Sequence, residues 1–398
     1  MSRTTAIRKI PITKPYLGPE EREAVLKPLD TGWLVQGPYV AEFERKFAEF
    51  TGASSAVATT SCTTALHMAA DALGVSPGAE VIVPAFTWVS TANIIESLGG
   101  RAVFCDVDIR TYNIDVSRVA DLITDRTVGI LPVHLFGLCA DMDPILELAR
   151  ARGLWVLEDS ACGFGAWYHG KHSGTIGDAG CFSFHPRKSI TTGEGGMVIT
   201  TRPELEAVLR SLRDHGASRT DLQRHNAKGG FLLADYDRLG YNYRMTDLQG
   251  ALGSAQMDRA SFVLRARAEG ARRYDQLLAA VDWLARPVTP QGYVHGYQAY
   301  VTLFRPEEPT LASYERLHER RNRVMQDLEE RGIATRQGTH APIALGYYTK
   351  KYGIKAETYP NALVADRLTL TLPLYVDLSA DDQEYVVNEL KAAFARSA

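Results

Sequence analysis

The sequence predicts an α/β fold: a large domain with a mostly parallel mixed sheet flanked by helices, plus a smaller C-terminal α+β domain. Three observations carry this expectation. From about Ser54 to Thr200, short apolar runs alternate with helix-period segments, as in βαβ units that cover a sheet on both faces. Beyond Thr200 the alternation gives way to longer helical stretches and isolated strands. A length of 398 residues also exceeds what one small core organises. The expected division is residues 1–260 for the large domain and 261–398 for the small one. Residues 1–35 are expected to pack on the small domain or at an interface.

The elements follow in order. Ser55–Thr59 reads as a strand, and Thr63–Leu73 as a helix with Ala65, Leu66, Met68, Ala69, Ala72 and Leu73 on one face. Strands follow at Glu80–Pro84, Ala102–Asp106 and Gly129–Val133, then a helix at Pro144–Arg152. Leu154–Glu158, Cys181–Phe184 and Gly196–Thr200 complete the series of strands. Pro203–His215 and Thr246 to about Ala280 read as helices. The basic run in the second (Arg265, Arg267, Arg272, Arg273) reads as a solvated face. A Pro/Gly connection (Pro287–Gly296) leads to a strand (Tyr297–Phe304), a helix (Ser313–Arg331), a short strand (Ile333–Arg336) and a terminal helix (Ala380–Arg396).

Composition narrows the function. A net charge of −3 leaves no electrostatic footprint for nucleic acid or an anionic membrane. No apolar run reaches the length of a transmembrane helix, and the basic start lacks the apolar core of a signal peptide. Five cysteines, an odd number without CxxC spacing, suggest neither a disulfide framework nor a zinc site. Reduced thiols in a cytoplasm are expected, and no metal.

The residues that carry chemistry cluster at strand ends. Lys188 follows the strand Cys181–Phe184, with Ser183 before it and Gly193, Gly195 and Gly196 just after. A lysine at such a junction is more often a surface charge. The glycines allow close backbone packing around a bound ring or side chain, which raises the alternative. Asp159 ends the neighbouring strand, where ligands of open α/β sheets bind. A lysine able to form a Schiff base and a carboxylate able to pair with a pyridinium nitrogen are the two charged groups a pyridoxal phosphate (PLP) enzyme needs. Glu158 falls on the opposite side of the strand and reads as structural. Thr60–Ala65 is a strand-to-helix turn rich in hydroxyls that suits a phosphate, and Trp88 offers an aromatic face. No GxGxxG follows the first strand, which argues against a nicotinamide enzyme. A non-catalytic PLP-binding regulator would not require the set Trp88, Asp159, Ser183 and Lys188. His134 reads as a satisfied core histidine, His185 as structural or substrate-facing, and His340 as near a substrate mouth.

The chain resembles the DegT-type sugar-nucleotide aminotransferases of PLP fold type I, the aspartate aminotransferase superfamily. The resemblance runs through Thr31-Gly-Trp-Leu-Val-Gln-Gly-Pro38, Ser61-Cys-Thr-Thr-Ala-Leu66, Val81-Ile-Val-Pro-Ala-Phe-Thr-Trp88, Tyr112-Asn-Ile-Asp115 and Val133-His-Leu-Phe-Gly137. It continues through Glu158-Asp-Ser-Ala161, the block Ser183–Gly196, Tyr241-Asn-Tyr-Arg-Met245 and Leu372-Pro-Leu-Tyr375. It implies that Lys188 forms the Schiff base and then shuttles a proton, that Asp159 pairs with the ring nitrogen, and that Trp88 stacks on the ring. Cys62, Thr63 and Ser183 would hold the phosphate, the first two partly through backbone amides. Asn242 would reach the phosphate from the other subunit, which implies a homodimer with shared active sites. The implied reaction is ping-pong transfer from glutamate, through pyridoxamine phosphate, to a keto-sugar that is nucleotide-linked. A keto-cyclitol or non-nucleotide keto-sugar stays open as the acceptor. One departure stands out: Cys162 occupies a position where the family usually carries Gln or His. A dehydratase branch carries His at the lysine position, so Lys188 argues for amine transfer. Substrate selection is expected in the loop Ser218–Ala234.

Overall fold

The computed structural model describes residues 8–218 and 235–397. Residues 219–234 of the loop expected to select substrate therefore lie outside the described residues. Two helices precede the sheet, α1 (Pro19–Thr31) and α2 (Pro38–Thr51). Each begins on a proline, whose missing N–H costs a first turn nothing, and each ends on a glycine at positive φ (Gly32 at 73°, Gly52 at 76°).

The chain then alternates through β1 (Ser55–Thr59), α3 (Cys62–Ala72), β2 (Glu80–Pro84), α4 (Ser90–Ser97), β3 (Arg101–Cys105), α5 (Val116–Val119), β4 (Thr127–Ile130), α6 (Met142–Arg152) and β5 (Trp155–Asp159). A short hairpin, β6 (Trp167–Tyr168) and β7 (Lys171–His172), leads to β8 (Ala179–Ser183), β9 (Gly196–Thr200) and α7 (Pro203–Arg213). Seven of these strands form one sheet in the order β1-β9-β8-β5-β4-β2-β3. β2–β3, β2–β4, β4–β5 and β5–β8 pair in parallel, and β9 runs antiparallel to both its neighbours. This is the expected mostly parallel mixed sheet. β1, β2 and β9 are buried at every position, as strands covered on both faces must be. One face packs on Leu66, Ala69 and Ile95. The other packs on an aromatic group, Phe43, Phe47, Phe164, Phe182 and Phe184. Glu44 of α2 ties the layers together: its Oε1 accepts from the Ala58 amide at 2.8 Å and from buried Arg213 at 2.5 Å.

After α7 come α8 (Asp247–Asp258), α9 (Ala260–Leu277), β10 (Leu284–Ala285), β11 (Tyr293–Val294), β12 (Tyr300–Phe304), α10 (Tyr314–Glu330), α11 (Gly346–Tyr352), α12 (Pro360–Leu368), β13 (Thr369–Leu372) and α13 (Ala380–Arg396). β10, β12 and β13 form a second, antiparallel sheet, with a core of Tyr274, Tyr300, Phe304, Leu328, Val386 and Leu390 that Ile10 joins. Among the described residues no helix is long and apolar enough to cross a membrane.

Three expectations are corrected. The single helix from Thr246 to Ala280 is two, because Arg259 (φ −107°, ψ 0°) breaks it. Ile333–Arg336 is no strand: Ile333 pairs singly with Ile10 and Arg336 with Thr371. Arg267 does not belong to a solvated face. It is buried and donates to the carbonyls of Tyr297 at 2.9 Å and Gln298 at 2.5 Å.

Candidate active site

The carboxyl ends of β1, β2, β5 and β8 open into a cavity of about 400 Å³. Cys62, Thr63, Trp88, Asp159, Ser183 and Lys188 all line it. Strand alternation explains how two adjacent acids at the end of β5 separate. Glu158 turns away, fully buried, and accepts from the amides of Gly174 (2.7 Å), Ile176 (2.7 Å) and Gly177 (2.6 Å) and from His134 Nε2 (2.7 Å). His134 Nδ1 accepts from the Ala140 amide at 3.0 Å, so this histidine is a satisfied core residue. Asp159 turns into the cavity. Its Oδ2 accepts from Thr91 Oγ1 at 2.8 Å and its Oδ1 from the Ala161 amide at 3.1 Å. Burial pushes the Asp159 carboxyl above the usual carboxylate range, and Thr91, the Ala161 amide and the Lys188 charge pull it back. A buried carboxylate of this kind calls for a cation held against it.

Lys188 sits on a tight turn closed by its own amide on the His185 carbonyl (2.8 Å). Its Nζ reaches Cys162 Sγ at 3.1 Å. Cys162 therefore stands in the site, but against the lysine amine. His185 also lines the cavity, and its Nδ1 accepts from the Arg187 amide at 3.2 Å. Burial lowers its pKa, Glu194 opposes this, and the charges of Lys188, Arg187 and Arg336 add to the lowering.

The N-terminus of α3 lines the same cavity. Ser61 caps it, accepting from the Thr64 amide at 3.1 Å, while Thr64 Oγ1 accepts from the Ser61 amide at 3.0 Å. This leaves the amides of the first turn, at Cys62 and Thr63, for an anion. Burial, reinforced by Asp159, holds the Cys62 thiol well above its ordinary pKa, so its amide rather than its sulfur suits that role. Gly196 packs so closely here that a Cβ would lie 2.3 Å from the Ser61 carbonyl oxygen and 2.6 Å from the Cys62 nitrogen. Trp88 is 54% exposed, its ring 5.8 Å from that of exposed His340. Asn242 is exposed and is not among the residues that line the cavity; its backbone pairs with Asp214.

Sequence reasoning missed Arg187, Glu194, Gln298 and Arg336, which also line the cavity. Gln298 and Arg336 come from the C-terminal part of the chain, and no local motif announces them. The donor set fits PLP: an amine, a buried carboxylate, helix-terminal amides framed by Gly196, and an open indole face.

The chain matches the DegT/DnrJ/EryC1/StrS aminotransferase family over residues 15–391. It belongs to that family. GDP-perosamine synthase of Caulobacter vibrioides is 40% identical over 334 residues, covering 83% of this chain and 85% of that protein. Among solved structures, Spr1654 from Streptococcus pneumoniae in its PMP-form superposes with a TM-score of 0.90 at 28% identity, over 98% of this chain and 100% of that one. The same protein is also known in a PLP-form. Helicobacter pylori PseC, an aminotransferase involved in the biosynthesis of pseudoaminic acid, superposes with a TM-score of 0.87 at 25% identity, over 98% of this chain and 100% of that one. The enzyme is a sugar aminotransferase of PLP fold type I, and its family and neighbours imply pyridoxal phosphate as cofactor.

Proposed function

We propose that this sugar aminotransferase moves an amino group from glutamate to a nucleotide-linked keto-sugar by a ping-pong route, as a cytoplasmic homodimer with shared active sites. The observation that carries the reading is that Lys188 and Asp159 face one cavity together with the α3 N-terminus and Trp88. The likeness to a GDP-perosamine synthase supports a nucleotide-linked acceptor. We take the large domain as residues 1–260 and the small one as 261–398.

Pyridoxal phosphate, when bound, supplies the group that carries the amine between substrates and the electron sink beside the reacting carbon. The chain's own residues do the rest. Asp159, buried at the end of β5, would hold a negative charge against the ring nitrogen, and its burial strengthens that interaction. The amides of Cys62 and Thr63, with the Ser183 hydroxyl, would hold the phosphate, and Asn242 of the partner subunit would add to them. Trp88 would cover one ring face. Lys188 Nζ, once free, moves the proton at the substrate carbon, and catalysis of this type contributes roughly 10²–10⁴-fold.

The test mixes purified enzyme with glutamate and a panel of keto-sugars, free and nucleotide-linked. The wild type is expected to lose its visible absorbance with glutamate alone and to regain it with the accepted nucleotide-linked sugar. Lys188→Ala is expected to do neither. Ordinary turnover by Lys188→Ala would sink the assignment, and acceptance of the free sugar or a cyclitol instead would replace the acceptor.

A further inference from the structure

Arg267 makes an expensive choice. It lies in the middle of α9, 2% exposed, and among the described residues no carboxylate pairs with it. Burial lowers its pKa to about 10. Among the described residues its hydrogen bonds go to the carbonyls of Tyr297 and Gln298, so a buried cation holds two consecutive peptides.

Those peptides form a strained strap. Tyr297 has φ +44°, an uncommon conformation for a residue with a bulky side chain. Its amide donates to His295 Nδ1 at 2.9 Å, and the two rings stack at 4.1 Å with 6° between their planes. Gly137 packs against the strap so tightly that a Cβ there would lie 2.8 Å from the Tyr297 nitrogen and 2.9 Å from that of Gln298. Gly296 donates to the Gly137 carbonyl at 2.7 Å. Strain fixed from several sides persists where it delivers a particular side chain. The side chain delivered here is Gln298, on the wall of the active-site cavity.

The orientation of the Gln298 amide follows from its partner. Nε2 lies 2.9 Å from the Arg187 carbonyl, an acceptor that only the NH₂ side can satisfy. Oε1 then remains as a neutral acceptor, with no hydrogen bond from the described residues. An acceptor of this kind takes a hydroxyl and disfavours a carboxylate. The donor's carboxylates have better partners in Arg187 and Arg336, which line the same cavity and form no ion pair among the described residues. We infer that Gln298 Oε1 recognises a hydroxyl of the acceptor sugar, and that Arg267 is its positioning residue through the Tyr297–Gln298 peptides. The inference rests on the keto-sugar reading of the second half-reaction.

The two half-reactions separate it from a purely structural role. Gln298→Ala is expected to raise the KM for the keto-sugar about 3- to 10-fold, the worth of one hydrogen bond. The glutamate half-reaction should stay within about twofold. Arg267→Met is expected to show the same split. The double variant should be no worse for keto-sugar KM than Gln298→Ala alone, because the two act as one unit. Arg267→Lys, which keeps a donor but loses the fork, should recover part of the loss. Equal slowing of both half-reactions would overturn the inference, because Gln298 would then serve the peptide beside Lys188 rather than the sugar. An unchanged keto-sugar KM in Gln298→Ala would overturn it directly, even if Arg267→Met fails to fold. Failure of the underlying reading looks different: wild-type enzyme would complete the glutamate half-reaction and take no keto-sugar, and the inference would fall with it.

Discussion

Replacing Asp159 by Asn removes one charge and almost nothing else. The side chain keeps its shape, and the local hydrogen bonds allow the exchange. Asn Oδ1 can still accept from the Ala161 amide, now at 3.1 Å from Asp159 Oδ1. Nδ2 takes the place of Oδ2 and donates to Thr91 Oγ1, which now donates to Asp159 at 2.8 Å. Thr91 then turns its own proton to Thr87 Oγ1, 2.9 Å away, where either hydroxyl can donate. Burial already pushes this carboxyl upward, so the fold gives up no favourable charge term, and the melting temperature should hold or rise. The function should not hold. An ionised carboxylate against a ring nitrogen shifts its pKa by about 1–3 units. At 1.36 kcal/mol per unit this is ~1.4–4 kcal/mol, or a loss of ~10- to 10³-fold in the rate of the glutamate half-reaction. The assay is single-turnover absorbance change with glutamate, run beside a thermal melt. A rate within threefold of wild type with cofactor bound would refute the assigned role of Asp159. A slow enzyme with a much lower melting temperature would refute the claim that the substitution is electrostatic.

Two further predictions follow from packing. Gly196→Ala places a Cβ against backbone atoms of Ser61 and Cys62 that cannot turn aside, so it should displace the first turn of α3. Cofactor retained after dialysis should fall about tenfold or more, the worth of one or two charge-assisted hydrogen bonds, and full retention would show that this turn does not hold the phosphate. For Glu44, burial alone would raise the pKa, but Arg213, Arg210 and the Ala58 amide outweigh it and the folded pKa lies below the ordinary 4.5. Its contribution is therefore present above pH ~4.5 and lost as pH falls through that value into the folded range. Glu44→Gln leaves buried Arg213 unpaired and should cost about 3–5 kcal/mol in urea unfolding at pH 7. The gap to wild type should narrow below pH ~4.5, and a gap that widened there would contradict the assigned sign.

What the sequence made legible follows from locality. Strand, turn and helix start are adjacent in sequence at Thr59–Cys62, and strand and turn at Ser183–Lys188, so periodicity and turn chemistry place Cys62, Thr63, Ser183 and Lys188 at the carboxyl ends of the strands. Trp88 and Asp159 follow from the same rule applied to β2 and β5. Gln298 and Arg336 enter the cavity from segments far along the chain, and no spacing within either segment signals it. Arg267 misled for a related reason. In a run of four arginines the charge pattern is that of a wet helix face, and only the carbonyls of Tyr297 and Gln298 explain why one of them is buried. α11, α12 and β13 are not legible in the sequence because their apolar positions are satisfied by distant partners: Tyr348 packs on Phe104 of β3, and β13 pairs with β12.

Glu158 and Asp159 show how far one rule can carry a functional argument and where it stops. Two acids of the same charge stand side by side at the end of a strand, and the period of two sends them to opposite faces. Burial acts on both. Glu158 meets three amides and a histidine, which fully occupy its oxygens and make it a girder under the 174–177 loop. Asp159 meets one hydroxyl and one amide, which leaves its charge unmatched on the cavity side. The difference between a structural and a functional acid here is therefore not burial but unspent charge, and that is a property of the partners each finds. Lys188 lies on the same wall with its amine against a thiol rather than a carboxylate. An anion and an amine that line one cavity without pairing with each other are what a charged ring carrying a transferable amine would join.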